Sequence, residues 1–263
     1  MTDFTAGEQA WIERTDSLRT VVRQELIARQ LAPFVRRGMT VLDVGCGQGT
    51  QALRLAASGC RVTGVDPSAD LLGRCGAAAS AAGVTVDLVN GRIEELDQLW
   101  TGRTFDLVCC HGVLMYLDDR TAALAALAGR VGGDGYLSVT FRNGHGLAMR
   151  PGLRRDWATA LAAFDSDDYV NELGLRAGAD RLPEVTRVLD ALDLDVVDWF
   201  GVRVFTDASP ADGAVPDPDE LTKVIDAEER AGATDPYRWL AAQLHVVAGR
   251  APTGPRSGAL PVA

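Results

Sequence analysis

Lysine is almost missing from this sequence: Lys223 is the only one among 26 basic residues, so the positive charge is almost all guanidinium. Arginine's planar fork pairs with carboxylate and phosphate two bonds at a time, which a lysine ammonium does not. The bases are outnumbered by 36 acids, and the net charge of −10 argues against non-specific attachment to nucleic acid, though not against a local basic patch. No run of 18 apolar residues occurs, which leaves no candidate for a membrane-crossing helix. The opening Met-Thr-Asp-Phe-Thr-Ala-Gly-Glu lacks the basic start and apolar stretch of a signal peptide, so a cytoplasmic location is the expectation. Cysteines are five and unpaired in pattern (Cys46, Cys60, Cys75, Cys109, Cys110), without a C-x-x-C, which points away from zinc and from a disulfide framework. Asp165, Asp167 and Asp168 have no histidine or cysteine at metal-ligand spacing, and no metal site is expected. No Gly-Lys pair occurs either, so the phosphate loop G-x-x-x-x-G-K-[ST] is absent.

What is present is a rhythm. With 263 residues, 47% hydrophobic and 24% charged, the chain suits one large α/β domain. Leu18, Val22 and Leu26, extended by Ile27 and Leu31, predict an amphipathic helix before Pro33 or Gly38. Strands are expected over Thr40 to Val44, Arg61 to Val65, Val84 to Val89, Phe105 to Cys110 and Gly135 to Phe141. Helices over Thr50 to Ala57, Ser68 to Ala82 and Thr121 to Val131 alternate with them, the signature of a parallel sheet covered on both faces. The rhythm breaks at 142 to 182, read as a mostly helical insertion or lid without a clean strand. A helix over Pro183 to Leu192 closes the substrate side at 192. Val196 to Phe205 and Gln243 to Ala248 are expected strands, flanking a helix over Pro218 to Ala231. One domain over 1–250 results, with a cofactor core at 36–141 and a disordered tail expected over 251–263.

Val41-Leu42-Asp43-Val44-Gly45-Cys46-Gly47-Gln48-Gly49 ends the first strand in a turn of three glycines spaced two apart. In an open parallel sheet ligands settle beyond the carboxyl ends of the strands where strand order reverses, and this turn lies there. Its spacing is not the dinucleotide fingerprint G-x-G-x-x-G. Asp66 stands 21 residues beyond Gly45 at the end of the second strand, where a carboxylate can take both hydroxyls of a ribose. Its plain alternative is a turn residue before Pro67.

These segments resemble the class I S-adenosylmethionine (SAM)-dependent methyltransferases over residues 36 to 141. The resemblance implies a Rossmann-like α/β fold with a seven-stranded, mostly parallel sheet, and SAM as cofactor, S-adenosylhomocysteine (SAH) being the product. It places Gly45, Cys46, Gly47 and Gly49 against the methionine part and ribose, Asp66 on the ribose, Arg92 and Ile93 beside the adenine, and Asp43 on the loop or the cofactor's ammonium. Leu18-Arg19, His111-Gly112-Val113-Leu114, Asn143-Gly144-His145-Gly146-Leu147, Gly201-Val202-Arg203-Val204-Phe205, Asp235-Pro236-Tyr237 and Leu244-His245-Val246 look, in that order, like the bacterial tRNA 5-carboxymethoxyuridine methyltransferase family. That likeness implies cofactor contacts from Arg19 and His111, and esterification of a wobble-uridine carboxylate. The chain departs from the family in having Cys46 for a glycine, Arg92-Ile93 for a small residue and an amide, and a longer acidic loop near 207 to 218.

Catalytic roles are expected for His111, at the mouth of the crevice, and His145, in a glycine-rich loop; the plain readings are a bonded strand-end histidine and a solvated turn histidine. His245 is read as structural. Asn143, His145, Arg150, Arg203 and Tyr237 are the expected substrate contacts. Arg142, Arg150, Arg154 and Arg155 have no acid between them and suggest an electropositive rim for an anionic acceptor. Trp157, Tyr169 and Trp239 are read as core aromatics ahead of base-stacking ones. An ionised carboxylate acceptor needs no strong base, whereas a phenol, amine or alcohol would call on His111 or His145. Three rivals stand beside the tRNA acceptor: a small anionic metabolite, a cofactor-binding module without catalysis, and, weakest, a nicotinamide-dependent dehydrogenase.

Overall fold

β-branched and aliphatic runs too short for helices fix the sheet. In the computed structural model, which describes residues 17–250 apart from 172 and 211, β1 (Thr40–Val44), β2 (Arg61–Asp66), β3 (Val86–Asn90), β4 (Phe105–His111), β5 (Val131–Arg142), β8 (Asp195–Val202) and β9 (Gln243–Gly249) form one sheet. Its order is β3-β2-β1-β4-β5-β9-β8, with β9 antiparallel to both neighbours and the pairs up to β4–β5 parallel. Strand order reverses between β1 and β4, which opens the crevice at their carboxyl ends. Alternate residues of one strand serve different cores. Val41, Leu107 and Cys109 face one apolar cluster, while Leu42, Val44, Val108 and Cys110 face the other, as a strand's two-residue period requires.

The helices have readable ends. α1 (Leu18–Leu31) buries Val22, Leu26 and Ile27 against Val202 and Ile225. α2 (Thr50–Ala57) leaves the glycine turn directly. Ser68 Oγ caps α3 (Ala69–Ala82) by accepting from Leu71 N, and Gly83 closes it at φ 66°. The short α4 (Leu96–Leu99) follows β3, and Asp119 caps α5 (Arg120–Ala128) by accepting from Ala122 N. Beyond β5 come α6 (Met149–Leu153), α7 (Trp157–Ala162) and α8 (Leu182–Ala191). α9 (Pro218–Gly232) begins on an Asp217 cap and a proline in its first turn.

Four expectations need correction. α5 stops at Ala128, because Arg130 turns inward to Asp97 (2.8 Å) and the Trp100 carbonyl, and Val131 already pairs with Phe105 in the sheet. β3 starts two residues later than expected, at Val86. The insertion contains a ribbon, β6 (Asp168–Val170) against β7 (Arg176–Gly178), whose turn is tied by Asn171 Oδ1 accepting from Leu173 N and Leu175 N. Such an Asx turn was the missed signal. β8 ends at Val202 rather than Phe205, since Arg203 takes φ 61°, outside the strand region. The tail expected to be disordered lies outside the described residues.

Candidate active site

Hydrogen bonds from two strands fix the glycine turn. Gly45 N and Cys46 N both donate to the Val65 carbonyl (2.8 and 3.1 Å), and Gly47 N donates to Asp66 Oδ2 at 2.9 Å. Gly45, Gly47 and Gly49 have φ of 73°, 54° and 91°, a region that side chains avoid. A Cβ on Gly45 would overlap Val113 Cγ2, and one on Gly49 would overlap Cys75 Sγ. Room is made for Cys46 in turn by Gly64, whose imagined Cβ would stand 2.9 Å from Cys46 Sγ. The thiol thus packs behind the loop, toward β2, and its hydrogen bond with Cys75, together with burial, raises its pKa.

Asp66 is buried and points at the turn: besides Gly47 N, its Oδ1 accepts from Ser68 N at 2.9 Å. A carboxylate offers about four lone-pair sites, so these backbone bonds are compatible with a diol. Asp43 lies deeper. Burial and the neighbouring Asp66 charge push its carboxyl up to about 7, against the pull of the Ala52 N–H.

His111, at the end of β4, is half-buried and closes a polar chain through the sheet. Its Nε2 is 2.8 Å from Ser138 Oγ, which is 2.8 Å from His245 Nε2; His245 Nδ1 is 2.9 Å from Gln30 Oε1. Gln30 Nε2 donates to the Gly201 carbonyl, so Oε1 is the accepting end. Hydrogen-bond direction then runs from His111 toward the buried Gln30: His111 Nε2–H donates to Ser138, Ser138 O–H to His245, and His245 Nδ1–H to Gln30. His111 Nδ1 is left as a lone pair, buried and without a partner among the described residues. Burial and the Arg23 charge push the His111 pKa down to about 3, so the ring is neutral at pH 7 and a poor proton acceptor. A general base at His111 therefore finds no support, and His245, read as structural, is a member of this chain.

Beyond the His111 turn, arginines surround one carboxylate. Asp207 takes Arg19 Nη2 at 3.3 Å, Arg142 Nη1 at 3.3 Å, Arg203 Nη2 at 3.4 Å and Arg150 Nε at 3.8 Å. Despite its burial, these charges hold Asp207 below the usual carboxylate range, Arg203 foremost, and burial lowers Arg203 itself to about 9. The Arg142 guanidinium sits 5.4 Å from the centre of the Tyr169 ring, and Asn171 Nδ2 donates to Tyr116 Oη at 3.0 Å, so the β6–β7 ribbon roofs this recess. Arg23, one helical turn beyond Arg19, lies against Gly112.

The remaining expected residues divide. Asn143 is fully buried, and its amide donates to the Trp239 and Ala241 carbonyls while Oδ1 accepts from His145 N. It holds the loop rather than facing a substrate. His145 is exposed, its ring centroid 6.3 Å from that of Trp239. Tyr237 is 50% exposed and stacks edgewise on Phe205. Arg92 is exposed at the end of β3, whereas the Ile93 side chain is buried in the core with Val65 and Leu96, leaving only backbone for an adenine. Of the supposed basic rim, Arg142 and Arg150 turn into the recess, while Arg154 donates to the Ala208 and Ser209 carbonyls. Trp157 is 63% exposed and is not core. Sequence reasoning missed Gln30, Ser138, Arg23 and Asp207; only the last two had a signal, each four residues from an arginine already singled out. Elsewhere, a groove of about 460 Å³ lined by Leu31, Val35, Arg37, Arg54 and Leu55 lies by the amino ends of β1 and β2, with no carboxylate or histidine in its wall among the described residues.

The sheet order and the glycine turn at its switch point define a Rossmann-like methyltransferase fold. Residues 41–135 match the model of a methyltransferase domain. A ubiquinone biosynthesis O-methyltransferase of Escherichia coli is 36% identical over 114 residues, which cover 43% of this chain and 47% of that protein. The chain thus spans about half the length of the curated relatives it matches. Among solved structures, magnesium protoporphyrin IX methyltransferase from Synechocystis with bound SAH superposes with a TM-score of 0.60 at 15% identity, over 89% of this chain and 86% of that one. The 1,6-didemethyltoxoflavin-N1-methyltransferase of Burkholderia thailandensis, with bound S-adenosylhomocysteine, superposes with a TM-score of 0.55 at 18% identity, over 94% and 83%. The two structures fix the fold as that of SAM-dependent methyltransferases.

Proposed function

We propose that the chain is a SAM-dependent O-methyltransferase acting on an anionic acceptor, with the carboxylate of a 5-carboxymethoxyuridine-type tRNA wobble base as the leading acceptor. The observation that carries the methyltransferase reading is the glycine turn pinned to Asp66 at the switch point, whose positions a Cβ would fill. The ordered likeness across the chain supports the tRNA acceptor. A small anionic metabolite is the second reading, favoured by the depth of the arginines, Arg142 having a side chain 4% exposed, and by the net charge of −10.

The residues fit the cofactor. Asp66 would hold the ribose diol, the Gly45–Gly49 backbone would lie against the methionine part, and Arg19, Asp43 and the His111 lone pair would meet its polar groups. When bound, SAM supplies a methyl group already activated on sulfonium. The chain then needs to align the acceptor oxygen and exclude water. A carboxylate attacks in its ionised form and gives up no proton, which agrees with the low proton affinity of His111. Methyl-labelled SAM, incubated with deproteinised total RNA and separately with a small-molecule extract, tests the acceptor. Label in RNA is expected for the leading reading; label in the small-molecule fraction alone rejects it.

A further inference from the structure

Arg142 reaches the recess from the end of β5, Arg203 from the turn after β8, and Arg23 from α1. Asp207 alone answers them among the contacts described: Arg23 makes no hydrogen bond or ion pair among the described residues, and the Nε atoms of Arg142 and Arg203 are buried without partners there. Leaving Arg19 and Arg150 out of the count, three guanidiniums face one carboxylate, an excess of two positive charges. A buried excess of this kind is costly, and among the described residues no second carboxylate pairs with Arg23, Arg142 or Arg203. Arg203 also holds a left-handed backbone that a side chain avoids, a cost of the kind that collects at ligand sites. The recess joins the glycine turn through two contacts: Val113 against Gly45, and Arg23 Nη1 against Gly112, 3.4 Å from where its Cβ would stand.

We propose that Arg23, Arg142 and Arg203 seat a dianionic group of the methyl acceptor, a phosphate monoester or a pair of carboxylates, separate from the oxygen that is methylated. The separation follows from chemistry, because a guanidinium fork on the reacting oxygens would occupy the lone pairs needed for attack. Two excess charges match a dianion, whereas an internal phosphodiester carries one, so this subsite fits the small anionic acceptor of the second reading, and dianion binding here counts against an internal tRNA nucleotide. The choice of the acceptor as the molecule that bears the group rests on the methyltransferase reading; the binding itself does not.

Calorimetric titration of the full chain at pH 8 and constant ionic strength tests it, with inorganic phosphate, malonate and the monoanion dimethyl phosphate as probes. Phosphate or malonate binds, and dimethyl phosphate binds at least tenfold more weakly; which dianion is tighter identifies the group. Arg142→Gln, Arg203→Gln and Arg23→Gln each weaken the dianion at least tenfold. Arg23 is unpaired among the described residues, so its variant keeps the test open should either of the others fail to fold. Equal affinity for the monoanion, no binding beyond a chloride control, or affinity unchanged in Arg23→Gln overturns the subsite. SAH titrated in the same samples separates the failures: SAH binding without dianion binding removes only the subsite, and dianion binding without SAH binding removes the methyltransferase reading.

Discussion

At the scale of single residues, Gly45, Asp43 and Asp207 carry distinct and measurable burdens. Gly45→Ala must place a Cβ on Val113 in a left-handed backbone, so we expect a loss of about 2–3 kcal/mol in chemical denaturation and at least tenfold weaker SAH binding. Asp43, pushed up to about 7, keeps a proton that the unfolded chain releases near the ordinary value of 3.8. Stability from this group is therefore complete below about pH 4, falls as pH rises toward 7, and levels off above, by up to about 4 kcal/mol. Urea melts of wild type and Asp43→Asn at pH 4, 5.5 and 7 should show that slope in the first and its flattening in the second. Asp207 acts with the opposite sign, since its pKa is held down: its contribution is present above about 3.8 and lost as pH falls below. Asp207→Asn leaves the arginines facing a neutral amide and should cost about 3–5 kcal/mol, read by the denaturation midpoint at pH 7. The glycines and Asp66 were legible because a positive φ and a strand-end acid leave marks in sequence. Asp207 was harder to find, because its role depends on β5, β8 and α1 meeting, which no local pattern encodes.

Among elements, the β6–β7 ribbon links the insertion to the site through Asn171–Tyr116 and Tyr169–Arg142. Asn171→Ala removes both turn bonds from Oδ1 and the bond to Tyr116, so amide exchange over 168–178 should quicken at least tenfold while SAH affinity changes less than twofold. Unchanged exchange would show that the ribbon is held by other contacts. Most strands and helices up to residue 141 were readable where glycine, proline or a capping residue bounds them, as at Ser68, Gly83 and Asp119, whereas the four-residue α4 went unread and the end of α5 and the start of β3 were misplaced. Past that point the sequence mixes three-residue strands with five- and six-residue helices, and elements this short bury too little for a periodic signal. β8 ran short for another reason: Arg203 breaks it between two valines, so composition alone reads on to Phe205.

For the molecule as a whole, the placement of chemistry on one edge of the sheet follows from topology. The carboxyl ends of β1, β2, β4, β5 and β8 bring together the glycine turn, Asp66, His111, Arg142 and Arg203, with β9 running against them. Those contributions span most of the chain length, so the cofactor half of the site could be read from one segment and the arginine recess only from the assembled sheet. The test that reaches furthest is calorimetric titration with SAH of the wild-type chain and Asp66→Ala. One SAH per chain, bound at least tenfold more weakly by Asp66→Ala, is the predicted result; no heat of binding in the wild type, or equal affinity in the variant, would contradict it.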